Sequence, residues 1–144
     1  MGRWPYDGRA VNPNRLRDIP IFKHLSKSEL QRLAGWLQVQ SVPEGHQLVR
    51  EGGFADEFFL IEDGEAVVLQ DGERIAALGP GDFFGEIGLL ETERRTASVV
   101  ATTPMELIVM FEREFRQMER ELPSIATRVR SAIRARLENR EANS

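Results

Sequence analysis

The sequence predicts a mainly β fold, an antiparallel β-barrel or jelly roll (double-stranded β-helix) with a helix before it and helices after it. The central part of the 144-residue chain consists of short runs rich in Val, Ile, Leu and Phe, separated by turn residues. Two separators are the Asp-Gly pairs Asp63-Gly64 and Asp71-Gly72, and Asp-Gly between apolar runs is a strong hairpin signal. Because no helical pattern intervenes between the predicted strands, a parallel α/β fold is disfavoured.

The N-terminal part predicts an irregular lead over residues 1–20, followed by a helix. Gly and Pro recur among polar residues in the lead, which leaves room for at most one helical turn near Asn14 to Asp18. Ser26 followed by Glu29 is a capping-box pattern, and it predicts a helix from about residue 27 to residue 37. The apolar residues that then recur at helical spacing are Leu30, Leu33, Ala34 and Leu37.

The predicted barrel occupies about residues 39–111, inside a domain that we expect to span residues 21–140. Its aromatic pair Phe83 and Phe84 is expected to belong to the core and not to stack on a ligand. The predicted strands cover about residues 39–42, 47–50, 58–62, 65–70, 73–78, 97–102 and 106–111.

Two amphipathic helices are predicted at the C-terminal end. The first covers residues 112–121, with Phe115 and Met118 facing inward, and the second covers residues 123–140 and begins at Pro123. The second helix carries an apolar stripe beside several arginines, so we expect it to dock over a ligand or against a second subunit. Its docking would then be weak enough for a ligand to bias, and a homodimer through this helix is a further expectation. The stripe consists of Ile125, Val129, Ile133 and Leu137.

Composition narrows the classes of function. The chain has no cysteine, which excludes disulfides and thiolate metal sites, and no apolar run approaches the ~18 residues of a membrane span. Together with the lack of a secretory apolar core this predicts a cytoplasmic protein, and the preference for arginine over lysine suggests a bacterial source. Residues 51–93 hold twelve acidic residues and one basic residue, a balance of −11, so no nucleic-acid partner is expected.

Residues 79–99 are the segment best suited to bind a ligand. Gly81, Gly85 and Gly88 permit tight turns and close approach of a ligand to the backbone. Glu86 opens a short apolar run that suits one helical turn, and the N-terminus of such a turn attracts an anion. Arg95 follows closely and could hold that anion with its fork of donors.

These residues resemble a known motif. The run from Phe84 to Leu90, followed after four residues by Arg95-Thr96-Ala97-Ser98-Val99, resembles the phosphate-binding cassette of cyclic-nucleotide-binding domains. Such domains occur in bacterial catabolite activators, cyclic-nucleotide-dependent kinases and cyclic-nucleotide-gated channels. Upstream residues also resemble the strand pair that precedes the cassette in that family. These residues are Glu51, Gly52, Asp56, Phe59, Ile61 and Gly64. Gly53 departs from the family pattern.

The resemblance implies a stand-alone regulatory module that binds cyclic AMP or cyclic GMP, passes a conformational change to an unknown protein effector and is not an enzyme. The bacterial character of the sequence favours cyclic AMP. We expect no helix-turn-helix domain like that of the catabolite activators, since the resemblance extends to about Arg140. Arg95 would bind the phosphate, Glu86 would accept a hydrogen bond from the ribose 2′-OH, and the backbone of Gly88 and Thr96 would complete the phosphate site. The Thr96 hydroxyl could also meet the base. The implied binding residues are Gly85, Glu86, Ile87, Gly88, Arg95 and Thr96.

Two other functions remain open from the sequence. A cupin-like jelly-roll enzyme would share the architecture, but its metal site usually needs several histidines, and this chain has only His24 and His46. A ligand-free interaction domain would keep the fold alone, with Glu86 and Arg95 as a structural ion pair. Neither a catalytic residue nor a metal site is predicted.

Overall fold

The computed structural model describes residues 9–52, 57–84 and 97–142, and in the last helix it describes side chains up to residue 135. Over these residues the helices are α1 (Pro13–Leu16), α2 (Lys27–Ala34), α3 (Glu112–Glu121) and α4 (Pro123–Ala142), with one turn of 3-10 helix at Pro20–Phe22. The strands are β1 (Arg9–Ala10), β2 (Gln38–Val42), β3 (Gln47–Val49), β4 (Glu57–Asp63), β5 (Ala66–Gln70), β6 (Glu73–Leu78), β7 (Phe83–Phe84), β8 (Ser98–Ala101) and β9 (Met105–Phe111).

The strands form two antiparallel sheets flanked by helices, as the predicted fold class requires. The five-stranded sheet has the order β1-β2-β9-β4-β7, and the four-stranded sheet has the order β3-β8-β5-β6. Over the described residues the two sheets do not join into one closed barrel, so the fold is the jelly-roll form of the prediction. No helix in the described part of the chain is long and apolar enough to cross a membrane.

The two Asp-Gly pairs have different structures. Asp71-Gly72 joins β5 to β6, and both residues have the positive φ that a type I′ hairpin turn requires. Asp63-Gly64 joins β4 to β5, which lie in different sheets and are not paired, so the hairpin predicted there is wrong. The chain turns a corner between the sheets at Gly64, and the next residue, Glu65, donates its N–H to the Thr103 hydroxyl at 3.0 Å.

The five-stranded sheet is buried on both faces. Successive residues of β4 alternate between them: Phe58 and Leu60 face the helices, whereas Phe59 and Ile61 face the four-stranded sheet. The helical core, between the five-stranded sheet and the helices, includes Leu16, Phe22, Leu33, Phe58, Phe83, Ile108, Phe115, Met118, Ile125, Val129 and Ile133. The inter-sheet core includes Val42, Leu48, Val49, Phe59, Ile61, Ala66, Phe84, Val99, Leu107 and Val109.

The α2 helix begins as predicted and ends earlier. The capping box is complete, because the Ser26 hydroxyl accepts from the Glu29 N–H at 3.1 Å and the Glu29 carboxylate accepts from the Ser26 N–H at 2.8 Å. The predicted end at residue 37 is wrong, since the helix stops at Ala34. Gly35 is a poor helix former and caps the helix, and Leu37 is then buried just ahead of β2.

Part of the N-terminal lead belongs to the packed structure. Arg9 and Ala10 pair with β2 as a short strand that the sequence did not predict, and Leu16 is fully buried in the helical core. Arg15 anchors this part of the chain, because its guanidinium lies 2.6 Å from the Glu62 carboxylate and 3.2 Å from that of Glu106. Burial raises the pKa of Glu62, and the charge of Arg15 opposes that shift.

Candidate functional site

The predicted binding residues Gly85, Glu86, Ile87, Gly88, Arg95 and Thr96 lie outside the described residues. The structure does describe the strand that leads into this segment and the strand that leaves it. The entering strand, β7, belongs to the five-stranded sheet, and the leaving strand, β8, belongs to the four-stranded sheet. The predicted site therefore lies in the segment that connects the two sheets.

The entry is fixed by aromatic packing. Phe83 and Phe84 pair with Leu60 and Phe59 of β4. The rings of Phe59 and Phe84 are stacked with their centroids 4.8 Å apart, and the rings of Phe58 and Phe83 are 5.7 Å apart. Both Phe83 and Phe84 are buried, which confirms that they belong to the core.

The turn before β7 is also held against β4. Gly81 has a φ of 91°, a conformation that glycine adopts without strain, and it donates its N–H to the Ile61 carbonyl at 2.9 Å. The Asp82 carboxylate accepts from the Gly79 N–H at 2.8 Å, and the Asp82 carbonyl accepts from the Ile61 N–H at 2.9 Å. The chain thus reaches the predicted site from a turn that is hydrogen-bonded to β4.

The exit is held on both sides at Ser98. This residue pairs with Leu69 of β5 through the backbone ladder. On its other side the Ser98 hydroxyl accepts a hydrogen bond from the Glu51 N–H at 2.9 Å, just beyond the end of β3. The Glu51 carboxylate in turn accepts from the Asp71 N–H at 3.1 Å. Sequence reasoning missed this chain of hydrogen bonds, because nothing in the local pattern signals partners so distant in sequence.

Apolar side chains of the hairpin formed by β5 and β6 are only partly buried. Val68 and Leu78 pack against the inter-sheet core but are only partly buried. Ala76 is paired with Val68 on the same face and is exposed. Val68 and Leu78 are therefore less completely buried than the side chains of β4 and β9 that share this core, among which Phe59, Leu107 and Val109 are fully buried.

The helix α4 packs closely at its N-terminal half. Ile125, Val129 and Ile133 of the predicted stripe are buried in the helical core, whereas the side chain of Leu137 lies outside the described residues. Arg128 donates to both carboxylate oxygens of Glu29 on α2, at 2.7 and 2.9 Å.

A second arginine ties α4 to α3. Arg130 forms an ion pair with Glu119, and its guanidinium lies 5.3 Å from the ring centroid of Phe115. Burial lowers the pKa of Arg130, and the positive charges of Arg116 and Arg134 lower it further. Arg128 and Arg130 of α4 therefore contact carboxylates of the two neighbouring helices.

The residues that a metal site would need are placed as follows. His46 lies in the turn between β2 and β3, and burial lowers the pKa of its imidazole, which favours the neutral form. His24 lies in the turn between the 3-10 helix and α2. Among residues 9–52, 57–84 and 97–142, no three His, Cys, Asp or Glu side chains are grouped so that they could hold a metal ion.

Comparison with known proteins places the chain in one family. The model of the cyclic nucleotide-binding domain family matches residues 39–121, from β2 to the end of α3. The cAMP-dependent protein kinase regulatory subunit of Neurospora crassa is 32% identical over 127 residues, which cover 87% of this chain and 33% of that protein. The chain thus spans about a third of the length of this curated relative.

Solved structures show the same fold. The cAMP-bound PfPKA-R superposes with a TM-score of 0.75 at 25% identity, over 90% of this chain and 44% of that chain. A cyclic nucleotide-binding domain from Methylobacillus flagellatus KT superposes with a TM-score of 0.79 at 24% identity, over 92% of this chain and 84% of that chain. These findings confirm the family resemblance predicted from the residues around Glu86 and Arg95. The chain belongs to the family of cyclic nucleotide-binding domains.

Proposed function

We propose that this chain is a regulatory module that binds a cyclic nucleotide, cyclic AMP in preference to cyclic GMP, in the segment connecting the two sheets. The observation that carries the proposal is the family match over residues 39–121, which includes the whole segment resembling a phosphate-binding cassette. The names of two similar proteins support cyclic AMP, since the Neurospora relative is a cAMP-dependent regulatory subunit and PfPKA-R was solved with cAMP bound.

The proposed roles divide the ligand into three parts. Arg95 binds the phosphate through charge-assisted hydrogen bonds, helped by the backbone N–H groups of Gly88 and Thr96. Glu86 accepts a hydrogen bond from the ribose 2′-OH, and Gly85 lets its backbone approach the sugar, with Ile87 alongside. The Thr96 hydroxyl faces the base. No catalytic step is proposed for any of these residues.

The direct test is calorimetric titration with cyclic AMP and cyclic GMP. We expect the parent to bind both, cyclic AMP more tightly. The Arg95→Ala variant should lose about 2 to 5 kcal/mol of binding free energy, because it leaves a desolvated phosphate without its charged partner. The neighbouring Arg94→Ala change removes the same charge one residue earlier and serves as the matched control, with affinity close to that of the parent.

The outcomes separate the parts of the proposal. If the parent binds neither nucleotide, the proposed binding function is wrong and an interaction domain without a ligand is favoured. Equal losses for Arg94→Ala and Arg95→Ala would mean that only overall charge matters, and the assignment of Arg95 to the phosphate would be wrong. Tighter binding of cyclic GMP would overturn the preference for cyclic AMP alone.

We further propose that the signal leaves through α3 and α4. The support is their position: α3 follows β9 directly, and α4 is joined to it through Leu122, whose backbone is not helical (φ −131°, ψ 59°). Burying three aliphatic side chains of α4 is worth about 1.5 to 3 kcal/mol each, more in total than the 1 to 3 kcal/mol of a typical allosteric coupling. The N-terminal half of α4 should therefore move with the helices that it contacts and not detach from them.

Hydrogen exchange with and without saturating cyclic AMP tests this mode of movement. We expect the amides of residues 125–133 to stay protected in both states, and those around Leu122 to change their exchange rate on binding. Strongly increased exchange from Ile125 to Ile133 in either state would show that the helix detaches. An unchanged rate around Leu122 would mean that the signal leaves elsewhere. A homodimer through α4 is part of the same proposal. Analytical ultracentrifugation with and without cyclic AMP would measure the oligomeric state.

A further inference from the structure

We propose that Ser98 is a positioning residue of the nucleotide site and acts through its hydrogen bond to the backbone of Glu51. This inference rests on the proposed function, and it assigns a role to a hydroxyl that touches no part of the ligand in that proposal. Ser98 is the first residue of β8, three residues after Arg95 and two after Thr96. Its place in the sheet therefore limits where the chain carrying Arg95 can go.

The Ser98 hydroxyl replaces a backbone contact that the sheet lacks at this point. The ladder between β3 and β8 pairs Gln47 with Val100 and Val49 with Val99, with an irregularity between them, and Val49 is the last residue of β3. Beyond that end, the Glu51 N–H donates to the Ser98 hydroxyl at 2.9 Å. A side-chain hydrogen bond thus takes over where the backbone ladder stops.

The same hydrogen bond connects Ser98 to the tip of the β5–β6 hairpin. The Glu51 carboxylate accepts from the Asp71 N–H at 3.1 Å, and Asp71 holds a positive φ of 53° in the hairpin turn. Ser98 also pairs with Leu69 of β5. The start of β8 is therefore tied to β5 through its backbone, and through Glu51 to both the end of β3 and the hairpin tip.

Chain geometry carries this restraint to the proposed phosphate site. Three peptide units reach at most about 11 Å, so fixing Ser98 limits how far Arg95 can lie from the start of β8. Restricting a binding side chain before the ligand arrives lowers the entropy cost of binding. When the Ser98 hydroxyl is removed, Ser98 stays paired with β5, while on the β3 side the chain is held only from Val99 onward. Arg95 and Thr96 then become less well positioned.

Ser98→Ala is the test variant, and Thr103→Ala is its matched control. Thr103 lies between β8 and β9, and its hydroxyl likewise accepts a backbone N–H, that of Glu65, at 3.0 Å. Each change removes one hydroxyl acceptor near an end of β8: Ser98 is its first residue, and Thr103 lies just beyond its last residue. Only Ser98 is next to the proposed site in the sequence. We expect Ser98→Ala to weaken cyclic AMP binding about 3- to 10-fold, the effect of one ordinary hydrogen bond on an equilibrium. Thr103→Ala should bind like the parent, and Ser98→Thr should restore affinity.

A double-mutant cycle with Arg95→Ala separates positioning from general destabilisation. If Ser98 acts through Arg95, Ser98→Ala has a much smaller effect on affinity when Arg95 is already alanine. Full additivity, or parent-like binding by Ser98→Ala, would overturn the inference while leaving the proposed function intact. An equal loss in Thr103→Ala would show that the hydroxyls only stabilise the sheet. A parent without affinity for cyclic nucleotides would overturn both proposals.

Discussion

The two faces of the five-stranded sheet are both buried, yet they are filled differently. On the helical face, β4 and β9 contribute Phe58, Leu60, Ile108 and Met110, which are covered by side chains of the helices. On the other face, Phe59 packs against the four-stranded sheet. The residues of β4 and β9 that alternate in sequence with the four residues of the helical face do the same. The inter-sheet face continues into the β5–β6 hairpin, where β6 is exposed except for Leu78, which is partly buried.

This difference in burial distinguishes the part of the molecule that stabilises the fold from the part that is proposed to bind a ligand. A closely packed core resists any change of volume, so a region that must admit a ligand cannot be filled to the same degree by its own side chains. The residues of the helical core are buried, as expected for a core that stabilises the fold. The hairpin side of the inter-sheet space has partly exposed apolar residues and lies beside β8, the strand into which the proposed nucleotide segment leads.

The largest effect that we expect comes from a large side chain in the helical core. Phe115→Ala should lower the free energy of unfolding by about 3 to 5 kcal/mol, because the ring is fully buried and also lies beneath the Arg130 guanidinium. Ile75→Ala, on β6, should cost less than about 0.5 kcal/mol, since Ile75 is 55% exposed. Urea unfolding measures both values, and comparable losses would contradict the contrast between the two regions.

A smaller effect should distinguish the two Asp-Gly turns at the ends of β5. Both glycines have positive φ, at 93° for Gly64 and 81° for Gly72, so alanine is strained at either position. At Gly64 a Cβ atom would also overlap the Pro104 carbonyl and lie 2.9 Å from the Met105 Cα, whereas at Gly72 it meets open space. We expect Gly64→Ala to destabilise the protein by about 3 kcal/mol and Gly72→Ala by about 1 kcal/mol.

Thermal and urea unfolding of the two glycine variants would test this difference. Equal destabilisation would mean that the corner between the sheets adjusts to a methyl group, and that the strained φ is the whole cost in both turns. The matched design removes the composition of the turn as a variable, since each position follows an aspartate.

The sequence predicted most elements because their patterns are local. The bounds of β6 and α3 agree with the predicted ranges, since Asp-Gly precedes β6 and the apolar period becomes helical at Glu112. β1 was missed because Arg9 and Ala10 have no strand pattern and become a strand only by pairing with β2. The Asp63-Gly64 hairpin was predicted wrongly because a dipeptide specifies a turn but not whether the next strand joins the same sheet.

The candidate site likewise contains residues that a local motif predicts and contacts that it does not predict. The residues from Gly85 to Thr96 were singled out by a contiguous motif, and their roles remain proposals. The Ser98–Glu51 contact joins residues 47 positions apart, and the Arg128–Glu29 ion pair joins residues 99 positions apart. Such contacts depend on how the sheets and helices pack, so no local pattern in a single sequence could have predicted them.

The smallest effect that we expect concerns the border of the helical core, where Glu29 joins α2 to α4. The N–H of Ser26 donates to the Glu29 carboxylate and is the main cause that lowers the pKa of Glu29, and Arg128 lowers it further. A folded-state pKa below the unfolded value means that the ionised group stabilises the fold above the unfolded pKa. That stability is lost as the pH falls through the folded pKa.

The prediction is therefore a difference in acid sensitivity between variants. Between about pH 5 and pH 3 the parent should lose more stability than Glu29→Gln, which carries no charge to titrate. Arg128→Ala should lie between them, because it removes the partner on α4 and keeps the larger contribution from the Ser26 N–H. Arg120→Ala, an exposed arginine on α3, is the control and should follow the parent. Urea unfolding at each pH measures the slopes. If Arg128→Ala follows the parent as closely as the control does, the ion pair adds nothing to the Ser26 cap, and α4 is held on α2 by apolar contacts alone.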